Sequence, residues 1–188
     1  MRIIGGYLKG RKILNPIDKS TRPLKDMVRE SIFNILEHSK IINLQLKNSN
    51  VLDLYSGVGS FGLECLSRDA NQVCFFEKYI PTINILKKNV KTLGCENKCQ
   101  IIESDVDKID ENIKLLKIEF NLVFLDPPFI SKNINKIIDK IFEMRILSKD
   151  AIIVIHRNKN IKEKFTEKLK ELRVERYGKS KIVFGIMS

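Results

Sequence analysis

A chain of 188 residues with 43% hydrophobic residues and ten Phe carries enough apolar surface for one packed domain and argues against wholesale disorder. Its four cysteines form no CxxC pair, which argues against a zinc site or a disulfide framework, and no stretch approaches the roughly 20 apolar residues of a membrane helix. The net charge of +11 is polarised, with +6 in residues 1–29, +6 in residues 156–188 and −1 between them, a distribution that suits a polyanionic partner.

In chain order, residues 1–14 read as a hairpin: a first arm at 2–4, a Gly5-Gly6 break, a Lys9-Gly10 turn and a second arm at 11–14. Residues 15–22 form a polar loop. Pro23 suits the first turn of a helix in which Val28, Ile32 and Ile35 recur at helical spacing. From Asn50 onward, short apolar runs alternate with amphipathic stretches. Strands are predicted at 51–54, 73–76, 100–102, 122–125 and 151–155, with helices at 59–68, 81–92, 134–142 and 161–169. Two last strands, 173–177 and 181–186, are joined at Gly178 by too few residues for a crossover and must be antiparallel. The pattern predicts an α/β fold: a seven-stranded, mostly parallel sheet with one antiparallel strand near an edge, helices on both faces and a small N-terminal β-hairpin extension. Residues 1–25 then form a basic hairpin and loop, and 26–188 the main domain. With no apolar leader segment at the N-terminus, a cytoplasmic protein is expected.

Acidic and polar residues fall where the predicted strands end, which is where open α/β sheets bind ligands. The first strand runs into Asp53-Leu54-Tyr55-Ser56-Gly57-Val58-Gly59, the second into Glu77, the third into Ser104-Asp105 and the fourth into Asp126. This spacing resembles the class I methyltransferase pattern, whose cofactor is S-adenosylmethionine. Gly57 and Gly59 would let the backbone approach a ligand. Glu77 is placed to hold two ribose hydroxyls, Asp105 to accept from an adenine amino group, and Asp53 to reach the methionine end through the loop. Tyr55, Ser56 and Ser104 complete the candidate cofactor set. No P-loop lysine is present, so a phosphate cradle is not expected.

The segment Asp126-Pro127-Pro128-Phe129 is the candidate catalytic site. Two prolines remove two backbone donors and stiffen the loop. The Asp126 carboxylate and the Pro127 carbonyl can then accept hydrogen bonds from one amino group. An exocyclic base amine is a poor nucleophile because its lone pair is delocalised into the ring, and two acceptors favour the pyramidal form that attacks a sulfonium methyl. Such orientation is worth roughly 7–11 kcal/mol at the ideal limit. Phe129 would stack on the base, adding about 1–3 kcal/mol. The motif leaves adenine-N6, cytosine-N4 and guanine-N2 open. His156, after the fifth strand, reads as a solvated strand-end histidine.

Over nearly its whole length the chain resembles the RsmD family, bacterial 16S rRNA guanine-N2 methyltransferases. The resemblance rests on Arg2-Ile3-Ile4-Gly5-Gly6 with Gly10-Arg11-Lys12, on Thr21-Arg22-Pro23 with Asp26, Val28, Arg29 and Glu30, and on Phe33-Asn34. It continues through Leu52-Asp53, Gly57 and Gly59, Gly62-Leu63-Glu64, Leu66-Ser67-Arg68 and Asp126 to Phe129. It implies a Rossmann-like class I methyltransferase fold and S-adenosylmethionine as cofactor. As substrate it implies 16S rRNA, within a small-subunit particle carrying ribosomal proteins. A basic RNA-gripping set of Arg2, Lys9, Arg11, Lys12, Arg22 and Arg29 would flip the target guanine towards Asp126. No metal and no membrane are expected, and the chain should act as a monomer. Where many members carry a glutamate, this chain has Ile155. An adenine-N6 methyltransferase on RNA or DNA and a non-catalytic assembly factor remain the alternatives.

Overall fold

The computed structural model describes residues 1–18, 24–42, 44–113 and 116–188. After an extended N-terminal segment come helix α1 (Asp26–His38), strand β1 (Asn50–Leu54), α2 (Ser60–Ser67), β2 (Gln72–Glu77), α3 (Ile80–Leu93) and β3 (Cys99–Glu103). The second half holds α4 (Ile109–Ile113), β4 (Phe120–Leu125), α5 (Ile134–Glu143), β5 (Leu147–Asn158), β6 (Leu169–Tyr177) and β7 (Ser180–Met187). Pro81 opens α3 within its first turn, where its missing N–H costs nothing, and Gly94 closes it in the left-handed conformation.

The seven strands lie in the order β3-β2-β1-β4-β5-β7-β6. β1 to β5 pair in parallel, while β7 runs antiparallel to both β5 and β6. The reversed strand is therefore one in from the edge, as expected. Strand order turns back between β1 and β4, and their carboxyl ends frame the switch point. Each sheet face has its own core. On one side Phe75, Phe124, Val154 and Phe184 meet Phe33 and Phe61 of α1 and α2. On the other, Leu54, Leu125, Ile153 and Ile155 meet Ile137, Ile138 and Ile141 of α5. Phe33, Phe61 and Phe124 stack in a column with centroids 5.1 and 4.0 Å apart, tying α1 and α2 to the strand that carries the candidate catalytic loop.

Two sequence expectations need correction. The N-terminal arms do pair antiparallel, with Ile3 N–H on the Arg11 carbonyl at 2.9 Å and Ile13 N–H on the Met1 carbonyl at 3.1 Å, but the ladder is limited to the single bridge of Arg2 with Lys12. The stretch between the arms turns its donors to α2: Ile4 and Gly5 N–H bind the Glu64 carboxylate at 2.8 and 2.7 Å, and Tyr7 N–H binds the Ser67 carbonyl at 2.8 Å. At Gly6 a Cβ would lie 1.7 Å from that carbonyl, so only glycine permits the approach. Ile3, Leu8 and Ile13 sink into the same core as α1. The second correction concerns 161–169, where no helix forms. Ile161, Phe165 and Leu169 mimic helical spacing, but Leu169 pairs with Met187 to begin β6, and Phe165 tucks against the α5 side of the sheet. Long-range strand pairing outweighs local helical pattern there.

Arg29, expected among the RNA-gripping residues, is fully buried. Its guanidinium donates to the Arg2 carbonyl at 2.5 Å and to Asp26 at 3.0 Å, and lies 3.9 Å from Glu64. A side chain enclosed in this way cannot meet a phosphate. Glu64 is equally buried and also binds Arg68 Nε at 2.9 Å, so one carboxylate ties α1, α2 and the N-terminal segment together. Among the described residues no helix is long and apolar enough to cross a membrane.

Removing one partner of such a buried network leaves uncompensated charge and unsatisfied donors, a loss of about 3–5 kcal/mol. Glu64→Ala should lower the urea midpoint accordingly and speed amide exchange at Ile4 and Gly5. An unchanged midpoint would show that the carboxylate is dispensable.

Candidate functional site

At the switch point a cleft of about 680 Å³ opens between the ends of β1, β2, β3 and β4. Every predicted cofactor and catalytic residue except Gly59 lines it: Asp53, Tyr55, Ser56, Gly57, Glu77, Ser104, Asp105 and Asp126 to Phe129. The register explains the convergence. Leu54 pairs with Phe76 on one side and Leu125 on the other, so β1 and β4 end level with Phe76, one residue before the end of β2, and the polar residues of all three emerge together. Gly59 stands outside the lining, where its conformation and packing call for glycine. A Cβ there would lie 2.4 Å from Leu86 Cδ1, and its φ of +84° favours glycine.

Asp53 forms the floor of the cleft and is 1% exposed. One oxygen, Oδ2, accepts from Gly62 N–H at 3.0 Å. The other, Oδ1, is buried with no hydrogen-bond partner among the described residues, as is the hydroxyl of Ser56. Burial pushes the Asp53 carboxyl up to about 8, against the Gly62 N–H and with added repulsion from Asp126 and Glu77. Two orphaned polar groups at the base of a cleft are groups that a polar ligand would satisfy.

Glu77 is held by three backbone donors at 2.9 Å each: Gly57 N–H on Oε2, and Lys78 and Tyr79 N–H on Oε1. It therefore also shapes the Gly57 turn. With roughly four lone-pair sites on a carboxylate, gripping two hydroxyls requires release of one of these bonds. At the β3 end, Asp105 Oδ1 caps the Asp107 N–H at 3.0 Å, and Oδ2 pairs with Lys78 Nζ at 2.8 Å across the cleft mouth. The Lys78 ammonium, helped by the Asp107 N–H, holds the Asp105 carboxyl below its usual value. Tyr55 sits in the left-handed region at φ 59°, and burial raises its phenol.

The loop after β4 is clamped. Arg157 donates to the carbonyls of Pro128 at 3.2 Å and Ser131 at 2.8 Å, and forms a two-pronged ion pair with Glu163 at 2.9 and 3.0 Å. Pro127 is buried, Pro128 exposed and Phe129 half-buried, with its ring edge-on to His156 at 5.5 Å and 80°. His156 corrects another expectation, because it is 1% exposed and not solvated. Its Nδ1 lies 2.8 Å from Asp126 Oδ1. β5 continues past residue 155 because β7 pairs with it as far as Asn158, which draws His156 and Arg157 inside. The polar dipeptide closing an apolar run was the signal that sequence reasoning undervalued. Ile155 belongs to the core on the α5 side and is not among the residues that line the cleft. Of the proposed RNA-contacting residues, Arg2, Lys9, Arg11 and Lys12 are exposed on the N-terminal segment, and Arg22 lies outside the described residues.

Residues 1–186 match the family described as "Conserved hypothetical protein 95". The chain is 34% identical over 162 residues to "Ribosomal RNA small subunit methyltransferase D" of Haemophilus influenzae, covering 85% of this chain and 80% of that protein. It is 32% identical over 155 residues to the Escherichia coli K12 protein of the same name, covering 82% of this chain and 73% of that one. A solved Escherichia coli structure described as a methyltransferase, yhhF, superposes with a TM-score of 0.80 at 26% identity, covering 98% of this chain and 96% of that one.

The state of Asp53 makes ligand-free stability depend on pH. An acid whose folded pKa is raised favours folding while protonated, so its contribution is full below about 4 and is lost as pH rises through about 8. The melting temperature of the free protein should fall between pH 5 and pH 8, and Asp53→Asn should flatten that fall. Parallel profiles would show that Asp53 is ionised throughout.

Proposed function

The chain belongs to the RsmD family of ribosomal RNA methyltransferases, and on that premise we propose that it methylates the exocyclic N2 of a guanine in small-subunit rRNA, with S-adenosylmethionine as donor. The observation that carries the reading is the opening of Asp126 and Pro127 into the same cleft as the orphaned Asp53. The fold is the Rossmann-like class I methyltransferase fold. The residues present fit the donor. Asp53 and Ser56 offer unpartnered buried polar atoms to the amino-acid end, Glu77 a fixed carboxylate to the ribose, and Asp105 an acceptor to the adenine amine. When bound, S-adenosylmethionine supplies an electrophilic methyl on a cationic sulfonium.

The chain's own part is orientation. Asp126 accepts one N–H of the base amine, and the carbonyl of Pro127, which no donor reaches among the described residues, accepts the other. Arg157 keeps the loop from drifting by holding Pro128 and Ser131. Phe129 brings an aromatic ring to the same opening for the base. The choice of guanine rests on the N-terminal motif Arg2 to Gly6 with Gly10 to Lys12, which the cleft itself does not read. The exposed Lys9, Arg11 and Lys12 suit the phosphates of rRNA in a small-subunit particle.

Purified protein, labelled cofactor and small-subunit particles from cells lacking this protein should yield N2-methylguanosine on nucleoside mass spectrometry. N6-methyladenosine, or no product, would overturn the reading. Asp126→Ala should lower kcat by about 100-fold or more while changing cofactor affinity little. Charge reversal at Lys9, Arg11 and Lys12 should weaken RNA binding and flatten its salt dependence, measured by filter binding across a salt series.

A further inference from the structure

A row of polar side chains crosses three strands beneath the catalytic loop, and only its outer member was foreseen. Leu125 of β4 pairs with Ile155 of β5, so the next residues, Asp126 and His156, stand side by side. Asn158 of β5 pairs with Ser180 of β7, and His156 with Ile182, which sets Ser180 diagonally beside the imidazole on the same face. The result is Asp126 Oδ1 to His156 Nδ1 at 2.8 Å, and His156 Nε2 to Ser180 Oγ at 2.8 Å. His156 and Ser180 are buried, at 1% and 7% exposure, and only Asp126 of the three lines the cleft.

We propose that His156 is a positioning residue for the methyl transfer, locking the Asp126 carboxylate through Nδ1–H while Ser180 fixes the imidazole tautomer. This rests on the function proposed above. A neutral imidazole carries a single N–H. Facing an ionised carboxylate, Nδ1 must be the donor, and Nε2 then has only a lone pair. A serine hydroxyl can donate to that lone pair, which makes the Nδ1–H tautomer the consistent one. The order is reversed from a hydrolytic Ser-His-Asp triad, since here the carboxylate meets the substrate and the serine is the buried anchor. The imidazole contributes no bond making. It fixes the carboxylate plane at the edge of a loop whose backbone is already rigid. The edge-on Phe129 ring braces the imidazole from the loop side.

Substitutions that mimic one ring nitrogen at a time separate positioning from packing. In His156→Asn the side-chain amide falls near Nδ1 and can still donate to Asp126. In His156→Gln it falls near Nε2 and reaches Ser180 instead. On the RNA that the wild type methylates, His156→Gln should lose roughly 100-fold in kcat with the KM values for RNA and cofactor little changed, the scale of a small misplacement of a reacting group. His156→Asn should recover most of that loss. Equal kcat in both variants, or a loss confined to KM, would overturn the proposal. A second readout needs no variant and no turnover. With only two histidines in the chain, nitrogen-15 imidazole spectra of the wild-type protein should show His156 as the neutral Nδ1–H form. An Nε2–H form would overturn the proposal even if the variants failed to fold. If the wild type transfers no methyl group to rRNA, the functional reading fails by itself, and the imidazole spectrum still decides the hydrogen-bond assignment.

Discussion

The common register of β1, β2 and β4 is the constraint on which the rest depends. Parallel pairing of Asp53 with Phe75 and Phe124, and of Leu54 with Phe76 and Leu125, leaves no freedom in where Asp53 stands or where the residues after Phe76 and Leu125 emerge. Asp53, Glu77 and Asp126 are thus delivered to one cleft although all three are acids. The mutual repulsion and the loss of water are offset in different ways. Backbone donors hold Glu77, an imidazole meets Asp126, and Asp53 keeps its proton up to about 8. The most buried of the three has the fewest partners, which is the arrangement expected where a ligand completes the site.

The same edge is stiffened from outside the cleft. The aromatic column from Phe33 through Phe61 to Phe124 ties α1 to β4, and Glu64 binds α1, α2 and the N-terminal segment at one point. The exposed basic side chains of that segment are thereby carried on a docked loop, so a polyanion gripping Lys9 or Arg11 also engages the wall that supports the loop after β4. Arg157 and His156 do comparable work on the other flank, one holding the loop's carbonyls and the other its carboxylate.

Much of this was legible in the sequence. The apolar runs marked the strands, the short Gly178 link required the antiparallel pair, and Asp53, Glu77, Asp105 and Asp126 were recognisable because each lies at or near the end of a predicted strand. What was not legible depended on long-range pairing. His156 looked like a strand end because the apolar run stops at Ile155, yet β7 carries the pairing on to Asn158. Residues 161–169 have helical spacing, and only the ladder with β7 shows why Leu169 is strand. Arg29 was counted with the surface bases because charge alone does not tell a surface arginine from one buried against a glutamate 35 residues away in sequence. Gly59 was grouped with the cleft residues, yet it stands outside the lining at a φ of +84°.

The proposed methyl transfer requires the base amine to lie between the Asp126 carboxylate and the Pro127 carbonyl at the mouth of the cleft. The most direct measurement is a crystal structure of the protein with S-adenosylhomocysteine and a guanine-containing RNA fragment. The cofactor product should lie over Asp53, and the flipped base should place its N2 within hydrogen-bond distance of both acceptors. A base bound elsewhere, or one presenting a ring nitrogen or a hydroxyl to Asp126, would contradict it.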